Sequence, residues 1–260
     1  MAIAGSSADS AIPPLPAQRI PAWGVTDRDA QRLARLTGLL FLVTFATSIP
    51  ALLVFYAPAL ADPDFVLGQG FSRPVAVGAI LEMVLITANI GTALTLYPLL
   101  RPSHPVLAPA YLSARLVECG LIAVGIIALM ALNTLRAGPV ADDPGAMRAV
   151  GAALVAVHDW TFRIGPGVVV GVGNGLILGW MMWQTRLVPR ALSILGLIGG
   201  PALLVAGTAV MMGKIEAGSE AQIIATIPEF LWELLLGLWL MVRGVDRAAL
   251  ARLAGRPIPA

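Results

Sequence analysis

The run Ile164-Gly-Pro-Gly-Val-Val-Val-Gly-Val-Gly-Asn-Gly-Leu-Ile-Leu-Gly-Trp-Met-Met-Trp183 holds twenty residues and no charge. A helix of about that length crosses the roughly 30 Å hydrocarbon core of a bilayer. Five further runs of similar character flank it, and the six together are placed near 36–58, 75–99, 107–133, 152–183, 189–212 and 222–242. The runs are apolar throughout rather than alternating, which argues against a strand barrel. Composition agrees: 58% of the 260 residues are hydrophobic and only 12% charged. Average globular chains sit near 45–50% and ~25%. The mean hydropathy is +0.84. So much apolar surface cannot be hidden inside a soluble globule of this size. The expected fold is therefore all-α, a polytopic transmembrane bundle of six helices whose partner is the lipid bilayer.

Arginine placement orients the bundle. Eleven arginines fall on one side (Arg19, Arg28, Arg32, Arg35, Arg101, Arg186, Arg190, Arg243, Arg247, Arg252 and Arg256), against Arg73, Arg136, Arg148 and Lys214 on the other. The positive-inside rule then puts both the N-terminus and the C-terminus in the cytoplasm of a multi-pass protein of the inner (plasma) membrane. Residues 1–32 read as a disordered, Pro-rich cytoplasmic tail, 33–243 as the six-helix domain and 244–260 as an Arg-rich cytoplasmic tail. Tyr56, Tyr97, Trp160, Trp180, Trp183 and Trp239 lie near span ends, where an aromatic belt is expected. The net charge of +2 is spread over short loops, a pattern of membrane topology and not of nucleic-acid binding.

Several short motifs recur in a recognisable order. Arg35-Leu-Thr-Gly-Leu-Leu-Phe-Leu-Val-Thr-Phe opens the first span and Leu96-Tyr-Pro-Leu-Leu-Arg-Pro closes the second. Arg115-Leu-Val-Glu118 lies in the third, His158-Asp159 opens the fourth, and Leu187-Val-Pro-Arg-Ala-Leu precedes the fifth. In order and spacing, over roughly residues 33–243, these resemble the bacterial integral membrane family catalogued as domain of unknown function 4386. That resemblance implies a six-helix membrane protein. It implies no activity and supplies no catalytic residues.

The polar residues inside the spans carry the functional argument. Ionisable groups there cost about 2.5–3.5 kcal/mol each on insertion scales, so they should turn inward. Glu82 and Asn89 are seven residues apart and share a face. Arg115 and Glu118 are spaced to pair, and Arg115 has donors enough to bridge two carboxylates. Asp159 and Arg163 are an i, i+4 pair. Asn174 follows on the same span, and Glu229 and Glu233 lie one turn apart on the last. Five carboxylates against two arginines leave an interior charge of −3 if all ionise. A low-dielectric interior needs water, a bound cation or protons to hold that charge. These residues are accordingly the candidate ligand- or ion-binding set, with a small solute or a proton as the expected partner. His158 is expected at the outer surface, capping its helix.

Gly167, Gly171, Gly175 and Gly179 recur every four residues, a small-xxx-small row on which another helix can approach closely. Gly165-Pro-Gly167 should loosen or kink that helix. Pro50-Ala-Leu-Leu-Val54 and Pro201-Ala-Leu-Leu-Val205 are identical, and Glu82 and Glu233 each follow their proline by 32 residues. A parallel repeat is one explanation and chance in a Leu- and Ala-rich chain the other.

Other chemistry has no sequence support. There are two histidines and one cysteine, Cys119, and neither a zinc spacing nor a Walker loop nor a Gly-x-Ser-x-Gly elbow occurs. No catalytic residue, metal ligand or cofactor is assigned. Three functions remain open: a small-solute or proton-coupled transporter, a noncatalytic scaffold or partner subunit of undetermined oligomeric state, and a membrane enzyme acting on a lipidic substrate near His158.

Overall fold

A computed structural model of the chain describes residues 25–140 and 142–253. Among these there is no strand. Helix α1 covers Asp27–Pro50 and runs on as a π-helical turn over Ala51–Phe55. A short α2 (Ala57–Ala61) and a 3₁₀ turn lead to α3 (Arg73–Leu100) and α4 (Leu107–Ala137). Then α5 (Pro144–Ile164) continues through two π-helical segments, Gly165–Val169 and Gly171–Leu178, into α6 (Gly179–Thr185). Helices α7 (Arg190–Met211), α8 (Glu220–Arg243) and the short α9 (Arg247–Leu253) complete the chain.

Six of these elements are long and apolar enough to cross a membrane, counting α5 to α6 as one. Their outward faces carry large apolar side chains. Leu53, Ile80, Met83, Ile127, Val205 and Ile224 are each at least 60% exposed, as suits contact with lipid and not water. Trp160 and Trp180 are among the exposed aromatics near span ends.

The spans close into a ring in chain order. α1 packs on α3, α3 on α4, α4 on α5 and the π segments, these on α7, α7 on α8, and α8 back on α1. Glycines permit the closing contact: a Cβ on Gly38 would lie 2.2 Å from Met241 N, and one on Gly237 would lie 2.9 Å from Phe41 Cβ. The Gly167 row is likewise spent inside the ring. It faces α7, where a Cβ on Gly171 would meet Gly200 O at 2.8 Å and one on Gly207 would meet Gly167 O at 2.7 Å. Such backbone-to-backbone approach is the packing that small residues permit in lipid.

At Gly165-Pro-Gly167 the helix loosens by widening into π turns. A four-residue repeat drifts about 40° per step around an α-helix of 3.6 residues per turn. The wider π turn offsets that drift, so all four glycines stay on α7. Proline and six glycines between 165 and 179 weaken the α alternative, since neither residue type favours it.

Two boundaries differ from the sequence expectation. Residues 27–32, placed in the tail, are the first turns of α1. The Thr26 hydroxyl caps them, accepting from Asp29 N at 3.2 Å. Residues 247–253, also placed in a tail, form α9, with Ala249 and Leu250 buried. The remaining tail residues, 1–24 and 254–260, lie outside the described residues. The identical proline motifs also diverge: Pro50 precedes a π turn, whereas Pro201 sits within an unbroken α7.

Candidate functional site

Inside the ring is a chamber of about 190 Å³ to which every span contributes. Glu82 and Asn89 enter from α3, Arg115 and Glu118 from α4, and Glu229 and Glu233 from α8. Thr44 and Ser48 of α1 and Thr226 of α8 add hydroxyls. The seven-residue spacing on α3 and the four-residue spacing on α8 therefore do what their periodicity implies.

One side of the chamber is saturated but for Arg115 Nε, which has no hydrogen-bond partner. Arg115 Nη1 donates to Glu118 Oε2 at 2.6 Å and Arg115 Nη2 to Asn89 Oδ1 at 2.8 Å. Asn89 Nδ2 then donates to Glu118 Oε1 at 3.0 Å, closing a triangle of three buried residues. The guanidinium thus joins a carboxylate and an amide, where the sequence suggested two carboxylates. Glu82 is held separately: the Tyr56 hydroxyl donates to its Oε2 at 3.0 Å.

The opposite side is open. Glu233 accepts from Asn174 Nδ2, and Trp232 Nε1 fixes the adjoining backbone by donating to Asn174 O at 3.0 Å. Asn174 lies behind the chamber wall and acts on it through Glu233. Glu229 is 2% exposed, and neither of its carboxylate oxygens has a hydrogen-bond partner. The glycines make room for it: a Cβ on Gly175 would lie 2.7 Å from Glu229 Oε2 and one on Gly199 2.8 Å. The row that reads as helix packing therefore also shapes the site.

Asp159 and Arg163 do not join this cluster. Their 3.5 Å pair is more than 30% exposed on both sides and lines a second cavity, of about 600 Å³. This vestibule reaches to Ala217 and Gly218 in the turn between α7 and α8. Phe162, Pro166, Leu203, Thr226 and Phe230 line both cavities and form the wall between them. Phe230 meets Phe45 edge to face, with ring centroids 5.2 Å apart. On the other side of the chamber, toward Arg243, the bundle is filled. Phe41, Leu96, Met181, Trp232, Leu236 and Leu240 are all fully buried in one apolar core.

His158 corrects the expectation of an outer-surface cap. It is 3% exposed, its ring edge to face with Tyr56 at 5.6 Å, and it forms part of the vestibule wall. Tyr56 corrects the aromatic-belt reading with it: the ring is fully buried and its hydroxyl serves Glu82. No sequence pattern announces that role, because the π turn after Pro50 sets where Tyr56 points. The hydroxyls of Thr44, Ser48 and Thr226 were equally silent, since a threonine or serine in an apolar helix most often bonds its own backbone, as Thr44 does to Phe41 O at 2.7 Å.

Among the described residues, no group of three or more His, Cys, Asp or Glu side chains is arranged to hold a metal ion. No curated protein and no solved structure matches the chain. The family described as Domain of unknown function (DUF4386) matches residues 36–244, from within the first span to the end of the last, and the chain belongs to that family.

Proposed function

We propose that this protein is a proton-coupled carrier of a small solute, in the inner (plasma) membrane with both termini cytoplasmic. One observation carries the reading: four carboxylates and a single guanidinium face a chamber of about 190 Å³, and one of the acids, Glu229, has no protein partner. Arg115 and Glu118 cancel, so Glu82, Glu229 and Glu233 would leave a charge of −3 in the middle of a lipid-embedded bundle. An unpaired ionised carboxylate there costs several kcal/mol even after relaxation. Protons or a cationic solute must offset that charge, and a group that trades one for the other couples their movements. Intramembrane acids with this placement are the usual parts of proton relays.

The path supports one direction of entry. The vestibule meets the chamber across the Phe162–Phe230 wall, whereas the apolar core closes the arginine-bearing end. With both termini cytoplasmic, as proposed from the arginine distribution, the vestibule opens on the opposite side, and the solute enters from there.

Purified protein in liposomes loaded with a pH-sensitive dye tests this. With gradients of a panel of small organic cations supplied one at a time, wild-type vesicles should change internal pH faster than empty ones for at least one of them. Glu229→Gln should return them to the empty-vesicle rate while the protein keeps its unfolding midpoint. Wild-type vesicles that match empty ones overturn proton movement through the chamber.

A further inference from the structure

The arginine-bearing end of the bundle holds a second built concavity, of about 570 Å³. Arg186, Arg190, Arg243 and Arg252 line it, with Trp239 and one acid, Asp246. They arrive from three separate stretches: the α6–α7 turn, the end of α8, and α9. Among the described residues none of the four arginines has an ion pair. Asp246 is turned to the backbone, its Oδ1 accepting from Ala249 N at 2.6 Å. The pocket therefore presents four guanidinium groups against a single carboxylate, one of whose oxygens is already engaged by backbone.

Its frame is rigid. Gln31 of α1 grips the turn after α8 from both sides of one residue, donating to Val245 O at 2.7 Å and accepting from Val245 N at 3.2 Å. The next residue, Asp246, donates its N–H to Leu187 O at 2.9 Å. Gly244, at φ +71°, leaves the space that Gln31 fills, since a Cβ there would lie 2.0 Å from its Oε1. Leu187, Val188 and Val245 are buried beneath. The arginines hang from this clamped floor.

Arg186 gives a second, independent sign. It is the only described non-glycine residue with positive φ, at 57°, and it ends α6 in the left-handed conformation that glycine ordinarily supplies. Strained backbone of this kind persists where the side chain has a use.

The depth indicates what the pocket meets. Trp183 and Trp239 stand at the ends of α6 and α8, with the guanidinium of Arg190 4.7 Å from the Trp183 ring centre and that of Arg243 5.9 Å from the Trp239 ring centre. Tryptophan and arginine so paired at span ends belong to the headgroup level. Guanidinium forks match carboxylate and phosphate oxygens alike, and phosphate is the anion that every phospholipid headgroup carries at that level. The geometry points to a site for a phosphate-bearing group, and at this depth the group is the headgroup of an anionic phospholipid held between α7, α8 and α9.

Native mass spectrometry of the full chain, released from micelles doped with equal phosphatidylglycerol and phosphatidylcholine, tests the assignment. The wild type should retain phosphatidylglycerol selectively. Arg190→Gln, Arg243→Gln and Arg252→Gln should each lower that selectivity by about fivefold. Removing the same charge from the same face but outside the pocket, by Arg28→Gln and Arg32→Gln, should leave it unchanged. Arg186→Gly should raise the unfolding midpoint, by relieving the backbone, and yet lower selectivity. Loss of selectivity in the Arg28 and Arg32 variants equal to that in the pocket variants would reduce the effect to general surface charge and overturn the site. Displacement of the lipid by millimolar inorganic phosphate would overturn the lipid headgroup as the source.

Discussion

The two sides of the chamber use the same kinds of side chain to opposite ends. On α3 and α4, Asn89, Arg115 and Glu118 bond one another in a closed triangle that leaves only Arg115 Nε without a partner. On α8, Glu229 is buried as deeply as Arg115 and bonds to nothing. Each arrangement has a cost in lipid, but the costs are recovered differently. The triangle cancels its own charge and fixes the register of two helices. Glu229 can be satisfied only by something that is not part of the protein. Burial alone therefore does not mark a working acid; burial without a partner, beside open volume, does.

The largest effect should follow from breaking the saturated side. Arg115→Gln leaves Glu118 buried beside an amide and should cost about 3–5 kcal/mol, the usual consequence of removing one partner of a buried ion pair. Thermal unfolding in detergent, followed by circular dichroism, measures it. Glu229→Gln removes a charge and no hydrogen bond, so its midpoint should equal or exceed that of the wild type. Equal losses from the two substitutions would erase the distinction between the sides.

A smaller effect tests how the open side is kept open. Gly175→Ala sets a methyl 2.7 Å from Glu229 Oε2 and 2.4 Å from Gly200 Cα, and Gly199→Ala sets one 2.5 Å from Glu229 N. Backbone cannot give way as a flexible side chain can, and overpacking of this kind costs about 1–3 kcal/mol. Gly120 on α4 is the control, because a Cβ there meets nothing within 4 Å. Gly120→Ala should be stabilising by about 0.5–1 kcal/mol, the gain of replacing a helical glycine. A loss at Gly120 comparable to those at Gly175 and Gly199 would show that the two chamber glycines are not kept for the space they leave.

How far the sequence carries this architecture depends on what fixes each feature. Apolar run length and arginine-poor interiors define the six spans, because the bilayer imposes both. Helical spacing sets Glu82 with Asn89, Arg115 with Glu118 and Glu229 with Glu233 on shared faces, because residues on one helix align by period alone. Ring closure and the division into two cavities depend on contacts between helices far apart in sequence, such as Gly38 with Met241, and no local pattern encodes them. The least legible residues follow the π turns. A widened turn shifts the register of everything beyond it, which turns Tyr56 inward to Glu82 and sets Asn174 behind the chamber wall, out of line with Asp159 and Arg163 in the vestibule. A five-residue identity such as Pro50–Val54 with Pro201–Val205 does not carry over that register either.

The smallest effect belongs to a pair with the same chemistry as the triangle and a different solvent. Arg148 Nε, in the second turn of α5, lies 2.5 Å from Asp64 Oδ1 in the segment between α2 and α3, and the two side chains are 49% and 59% exposed. Arg115 and Glu118, 2.6 Å apart, are 3% and 6% exposed. The Arg148 hydrogen bond, aided by its charge, holds the Asp64 carboxyl below the ordinary carboxylate range. Its pKa is thus lower folded than unfolded, so the pair's contribution is complete above the unfolded-state value and is lost as pH falls through the folded one. Asp64→Asn should therefore leave the unfolding midpoint at low pH unchanged and separate slightly from the wild type only on the neutral side. Water screens an exposed pair and already solvates both partners when they part. Arg115 and Glu118 have no such alternative. A loss for Asp64→Asn as large as that for Arg115→Gln would mean that ion-pair geometry, and not exclusion of water, sets the strength of the saturated side.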